Sequence, residues 1–264
     1  MSDYSNILEE LNDINTGSSI PKLDIKSHYD VKMHPDMGEV MFSFWDSEAK
    51  ERNFQPKPIE GLLIGNAFQS SSFDSRNQAM YQTDHYLSKN KVTLYGPNVV
   101  KNGTKDQHNQ FLLEQKLPQL GKSKVCLYVL TADGLVCVKT STVIGIEQLR
   151  KNDFKASTIK LVPKLYDAAD KDIPKKAHET FGPVAMQNKP RYAAITVGGD
   201  LGAWLKKAKI DKDVLTKTIQ DWKKVRAFKL DPNQLQDAPV EADHQFAGEH
   251  IPNSMDDDDD GLPF

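Results

Sequence analysis

Three features predict a mainly β chain with flanking helices, arranged around a small barrel. Short runs rich in β-branched and aromatic residues recur between proline, glycine and charged clusters. One pair of runs brackets Asp133-Gly134, which supplies the positive φ of a tight hairpin. Helical periodicity is confined to three stretches.

In chain order, Ser2 to Asn15 reads as a short helix with Ile7, Leu8, Leu11 and Ile14 on one face and Ser2 as cap. A Gly17-Ser18-Ser19 joint follows. Val40 to Trp45, Ile59 to Phe68 and Lys91 to Tyr95 read as strands. The hairpin pairs Val125–Leu130 with Leu135–Lys139. Ser141 to Lys151 is helical, and Ser157–Tyr166 and Arg191–Val197 are strands. A longer amphipathic helix spans Asp211 to Phe228, with Leu215, Ile219, Trp222 and Val225 inward. Five or six short strands, long polar connections and few helices favour an OB-like barrel with inserted loops and helices, whose face and long loops hold oligonucleotides. Another small barrel or a sandwich is the alternative.

Charge is distributed unevenly over the 264 residues. The formal net charge is −3, yet Asp231 to Phe264 holds ten acids and no Lys or Arg. Met1 to Leu230 therefore carries 34 basic against 27 acidic residues, and Val31 to Leu230 carries 32 against 21. A basic body with an acidic tail points to a polyanionic ligand, and to a tail that competes for the same surface. Three regions follow: an N-terminal acidic helix or arm over 1–20, a core over 21–230, and a tail over 231–264 with the composition of a disordered linker.

No run of 18 apolar residues exists, and the acidic N-terminus is unlike a signal peptide. Cys126 and Cys137 sit in apolar strand-like runs and read as buried reduced thiols. The expected compartment is the cytoplasm. Gly198-Gly199-Asp200-Leu201-Gly202 does not follow the dinucleotide fingerprint, and no phosphate loop of the Walker type appears. The seven histidines lack metal-ligand spacing with the two cysteines. No catalytic constellation is visible, so the expectation is a non-enzyme without metal or cofactor.

The tail ends in Asp256, Asp257, Asp258, Asp259 and Asp260, then Gly261, Leu262, Pro263 and Phe264. Five aspartates repel one another and attract a basic rim. Phe264 and Leu262 offer apolar anchors, and Pro263 limits the entropy lost on docking. Burying one Phe is worth about 1.5–3 kcal/mol, which with the leucine and the charges supports roughly micromolar, reversible binding. This stretch resembles the C-terminal tip of bacterial and bacteriophage single-stranded-DNA-binding proteins, an acidic run ending in Asp-Ile-Pro-Phe. It departs in having Gly261 for the last Asp and Leu262 for Ile. The resemblance covers about nine residues and suggests a divergent phage version, for which the expected cytoplasm is that of the host cell. It implies an OB-fold, sequence-independent binding of single-stranded DNA, and recruitment of replication, recombination, repair or transcription proteins through the tail. Self-association, strand annealing as a recombination mediator, and an accessory role acting mainly through a polymerase are the other expectations.

Single strands are held by cations that track phosphates and by aromatic rings that stack on bases, worth about 1–3 kcal/mol per base. Tyr81, Tyr86, Lys89, Lys91, Tyr95, Lys101 and Lys105 interleave both kinds of residue, with the segments around Lys89 and Lys101 read as loops. Phe73 and Arg76 lie in a serine-rich stretch; Lys160, Lys164 and Tyr166 line a later strand and its exit; Trp45 ends a strand of alternating aromatics. These thirteen residues are the expected DNA contacts, and 256–260 with 262–264 the expected protein contacts.

Overall fold

A computed structural model describes residues 23–46, 48–83, 92–97, 99–151, 157–167, 169, 173, 175 and 190–227. The expected N-terminal helix and the whole of the expected tail over 231–264, with its terminal Asp256–Phe264 stretch, lie outside the described residues.

The fold is mainly β. β1 (Ser27–Met33), β2 (Val40–Asp46) and β3 (Glu51–Gln55) form an antiparallel meander. β4 (Ile59–Gln69) pairs with β9 (Lys124–Thr131) on one side and β11 (Ser157–Leu165) on the other. β9 turns into β10 (Gly134–Ser141), and β11 pairs with β12 (Arg191–Asp200). The result is one eight-stranded sheet of order β12-β11-β4-β9-β10-β1-β2-β3, antiparallel except where β1 joins β10.

Sheet twist and a bulge in β4 between Leu63 and Gly65 curl this sheet. β12 thereby comes back to β10 and β1, and β11 to β2. The interior is filled by alternate residues of seven strands, among them Val31, Phe42, Ile59, Val125, Leu127, Val129, Val138, Leu161 and Ile195. Helix α2 (Thr142–Lys151) packs Ile146 and Leu149 against that core. Where β12 meets β10, side chains replace a backbone ladder. Ala193 N–H donates to Thr140 Oγ1 at 2.9 Å, and Ile195 N–H donates to Gln148 Oε1 at 3.0 Å. These amides would otherwise be buried and unmet. The opposite edge, β3, carries Glu51, Arg52 and Asn53, a composition that discourages further strand addition.

The outer face of β4, β9 and β10 is covered by α3 (Leu201–Ala208) and α4 (Lys212–Ala227). Leu201, Leu205, Leu215, Ile219 and Trp222 pack there on Leu62, Ala67, Cys126, Tyr128, Leu130, Leu135 and Cys137. Trp222 lies so close over Gly65 that a Cβ there would be 2.3 Å from the indole, so the strand needs glycine at that point. The inward set expected for the long helix occupies this interface.

Between β4 and β9 the chain builds a second sheet of order β5-β6-β7-β8: β5 (Ser71–Asp74), β6 (Ala79–Thr83), β7 (Val92–Gly96) and β8 (Val99–Gly103). Helix α1 (Lys105–Glu114) seals one face of it, burying Leu112 against Ala79, Tyr81, Leu94 and Leu120. The Lys101–Lys105 piece read as a loop is in fact the end of a strand and the start of this helix. Thr104 and Gln107 form a reciprocal capping box, at 3.2 and 2.9 Å, and local capping outweighs the polar composition. The serine-rich stretch around Phe73 is likewise a hairpin, and the strand total exceeds the expected five or six.

Gln148→Ala should leave the Ile195 amide buried and unpaired, costing about 1–3 kcal/mol. Urea unfolding checks this: the midpoint falls with an unchanged slope, and a change within error would show that the seam does not depend on that bond.

Candidate nucleic-acid interface

Residues paired across a sheet share a face, so the register defines which side chains meet. Val31, Phe42 and Tyr29 point into the barrel core. Their neighbours therefore point out: Asp30 and Lys32 on β1, Ser43 and Trp45 on β2, and Arg52 and Phe54 opposite them on β3. Contacts agree with this alternation. Arg52 donates to Ser43 Oγ at 3.3 Å, and Lys124 Nζ of β9 lies 3.3 and 3.4 Å from the two oxygens of Asp30. Lys139 and Lys32 also act on Asp30 electrostatically. His34, just after β1, packs its ring 4.7 Å from that of Phe54, the two planes tilted by 54°.

The outer face from β9 across to β3 thus gathers Lys32, Arg52, Lys124 and Lys139 with two partly exposed aromatics, Trp45 and Phe54. At its centre sits the Asp30 carboxylate. Burial pushes its pKa up, but Lys124, Lys139 and Lys32 together outweigh that and hold it at about 2. Asp30 keeps the lysines gathered while cancelling only one of their charges. The net excess of cations, beside aromatic rings, suits a phosphate backbone with unpaired bases.

A second aromatic face lies on the small sheet, opposite α1. Phe73 pairs with Met80, and Tyr95 sits between Gln82 and Val100. Phe73 and Tyr95 are each 38% exposed. Arg76, in the turn after β5, is bound to Asp74 at 3.3 Å and to the Lys116 carbonyl.

The remaining expected contacts divide clearly. Tyr81 and Tyr166 are core residues, 5% and 2% exposed, so neither ring offers a face to a base. Tyr81 packs under Gly96, on the α1 side of its sheet. Lys101 points to the same side, its ammonium 4.1 Å over the Phe111 ring. Lys105 donates to the Gly121 carbonyl at 2.6 Å, and desolvation lowers its pKa. Lys160 and Lys164 lie on β11, on the face away from the core residues Ile159 and Leu161, four strands from β1 in the sheet order. Tyr86, Lys89 and Lys91 are outside the described residues.

Of the expected set among the described residues, only Trp45 stands on the cation-rich face. Lys32, Arg52, Phe54, Lys124 and Lys139 escaped sequence reading because they are scattered over four strands that only the register brings together. Among the described residues no group of His, Cys, Asp and Glu has the arrangement of a metal site, and no helix is long and apolar enough to cross a membrane. No family model, curated protein or solved structure matches the chain.

Asp30 has a depressed pKa in the folded state, against an ordinary 3.8, so its stabilising contribution is present above about pH 4 and is lost as pH falls toward 2. Asp30→Asn should lower stability near neutrality and flatten the acid limb over that window. Thermal melts across pH 2–7 check this, and parallel wild-type and variant acid limbs would contradict it.

Proposed function

We propose that this chain is a non-enzymatic single-stranded-DNA-binding protein of phage type. It coats DNA without sequence preference during replication, recombination and repair, and engages partner proteins through its acidic C-terminal stretch. The observation that carries the reading is the outer face on which Lys32, Arg52, Lys124 and Lys139 surround Trp45 and Phe54. Cations there meet phosphates while the two rings take bases, a combination that tolerates any sequence because every base has a π-face.

The strand order supports an OB-type barrel for the core. β4, β9 and β10 form a meander, α2 follows, and β11 and β12 return so that β11 lies beside β4 and β12 meets β10. In such barrels the second and third strands, with the loops after the first and fourth strands, bind oligonucleotides. Here those strands are β9 and β10. Helices α3 and α4 cover most of their outer face and leave the Lys124–Lys139 end open, continuous with β1 to β3. The first of those loops is enlarged into the four-stranded sheet, placing Phe73 and Tyr95 as a second aromatic platform.

The Asp256–Asp260 run and the Leu262-Pro263-Phe264 sequence after it support a protein anchor that also mimics phosphate. Self-competition follows: removing Asp256–Phe264 should tighten DNA binding, most at low salt, and unchanged or weaker binding would exclude it. Phe264→Ala should lose partner proteins in pull-downs and keep DNA binding; loss of both would mean that the anchor role is wrong.

Titration with oligo-dT should quench tryptophan fluorescence, and Trp45→Phe should remove most of the quench. Log affinity should fall with log salt by about 0.7 per phosphate neutralised. A protein that ignores oligo-dT in dilute buffer is not a single-strand binder. Rapid pairing of complementary strands by the tailless chain would instead favour the annealing role.

A further inference from the structure

The helices α3 and α4 carry a charge pattern that the single-strand face does not use. Between Leu201 and Ala227 there are eight basic residues and three acidic ones. The unit is compact. Asp200 caps α3 by accepting from Ala203 N–H at 2.7 Å, and Lys209 takes the left-handed conformation, φ 52°, to reverse the chain in three residues before α4 begins. Its apolar side is spent on the barrel through Leu205, Leu215, Ile219 and Trp222. Lys206, Lys207, Lys209 and Lys212 face water around the turn, with Asp211 and Asp213 beside Lys212, and Lys217, Gln220 and Lys224 face water along α4, so cations remain in excess. Lys224 is paired with Asp221 at 3.5 Å, whereas no ion pair among the described residues engages Lys212 or Lys217.

We propose that this helical unit is a second nucleic-acid contact that takes the phosphates of a duplex, so that a junction between single-stranded and double-stranded DNA spans both sites. Three observations select a duplex. The surface has cations but no exposed ring: Trp222 is buried over Gly65 and Tyr128, and Trp204 packs on the same cluster. Without a stacking platform it gains little from unpaired bases and everything from phosphates. Lys217 and Lys224 stand seven residues apart on one rigid helix, about 10 Å, close to the roughly 12 Å width of a major groove. The placement also fits a junction. Cys126 and Cys137 lie under the helices, and Lys124 and Lys139, two residues away on the same strands and the same side, open the single-strand face. That step is only about 7 Å. Single strands leaving the β1–β3 face would meet the helices where pairing begins.

The test uses the full chain and fluorescence anisotropy at low salt with three probes: oligo-dT, a blunt duplex, and that duplex carrying an oligo-dT extension. The wild type should bind the junction probe about tenfold or more tighter than oligo-dT, the size of effect that a few extra phosphate contacts produce. Lys212→Glu with Lys217→Glu should erase this gain, and lower the salt slope on the junction by about two, while leaving oligo-dT affinity within experimental error. The milder Lys212→Gln with Lys217→Gln, with an unchanged melting curve, controls for folding. No gain for the junction in the wild type, or equal losses on oligo-dT and junction, overturns the proposal. Tighter binding of all three probes by the Glu variant would also overturn it, because the helices would then be holding the chain's own acidic segment. The junction rests on the single-strand reading: failure of oligo-dT alone, with the duplex still bound, removes that reading and the junction with it, and leaves only the duplex contact of the helices.

Discussion

The alternation of side chains along the β9–β10 hairpin governs the rest of the molecule. Its odd positions on β9 and even positions on β10, such as Val125, Leu127, Val129, Val136 and Val138, fill the barrel interior. The intervening residues, Cys126, Tyr128, Leu130, Leu135 and Cys137, receive α3 and α4 on the outside. A strand buried on both faces reads as a continuous apolar run, and this hairpin does. The pattern also determines where polar function can sit. Only at Lys124 and Lys139 does the outer row become charged, and there the face passes to β1, β2 and β3, beyond the α3–α4 interface.

Two consequences follow for the architecture. The curled sheet brings its last strand, β12, against β10 and α2, where the Ala193 and Ile195 amides donate to the side chains of Thr140 and Gln148, so this seam depends on two residues rather than a ladder. The insertion between β4 and β9 has its own small core around Leu94 and Leu112, and its outer face carries Phe73 and Tyr95. His108 sits wholly buried in that core, with one ring nitrogen 2.8 Å from the Val92 carbonyl and the other, Nδ1, without a hydrogen-bond partner. An unmet buried polar atom costs about 1–3 kcal/mol, a local cost that the packing around Leu94 and Leu112 offsets.

Much of the fold was legible because its strongest signals are local. Asp133-Gly134 marks the hairpin, with Gly134 at φ 126°, and the spacing of Leu215, Ile219 and Trp222 marks the helix that covers it. β1, β3, β5, β6 and β8 were not legible: His28 to Lys32 and Glu51 to Gln55 are polar, and such strands gain their stability from neighbours rather than from composition. α1 was missed although Thr104-Lys105-Asp106-Gln107 holds a capping box, because its lysines suggested a loop. The site was harder still. Charge asymmetry revealed that a basic surface must exist, but Lys32, Arg52, Lys124 and Lys139 are neighbours only through strand register, and Tyr81 and Tyr166 resemble stacking residues until burial is known.

The proposed single-strand binding depends on one surface, the outer face of β1–β3 with the ends of β9 and β10. Photo-crosslinking to an oligonucleotide carrying 5-iodouracil, followed by peptide mass spectrometry, addresses it directly. The expected adducts fall on Trp45 or Phe54, and disappear with a charge-reversed Lys32 and Arg52. Efficient crosslinks that avoid both rings would contradict the account.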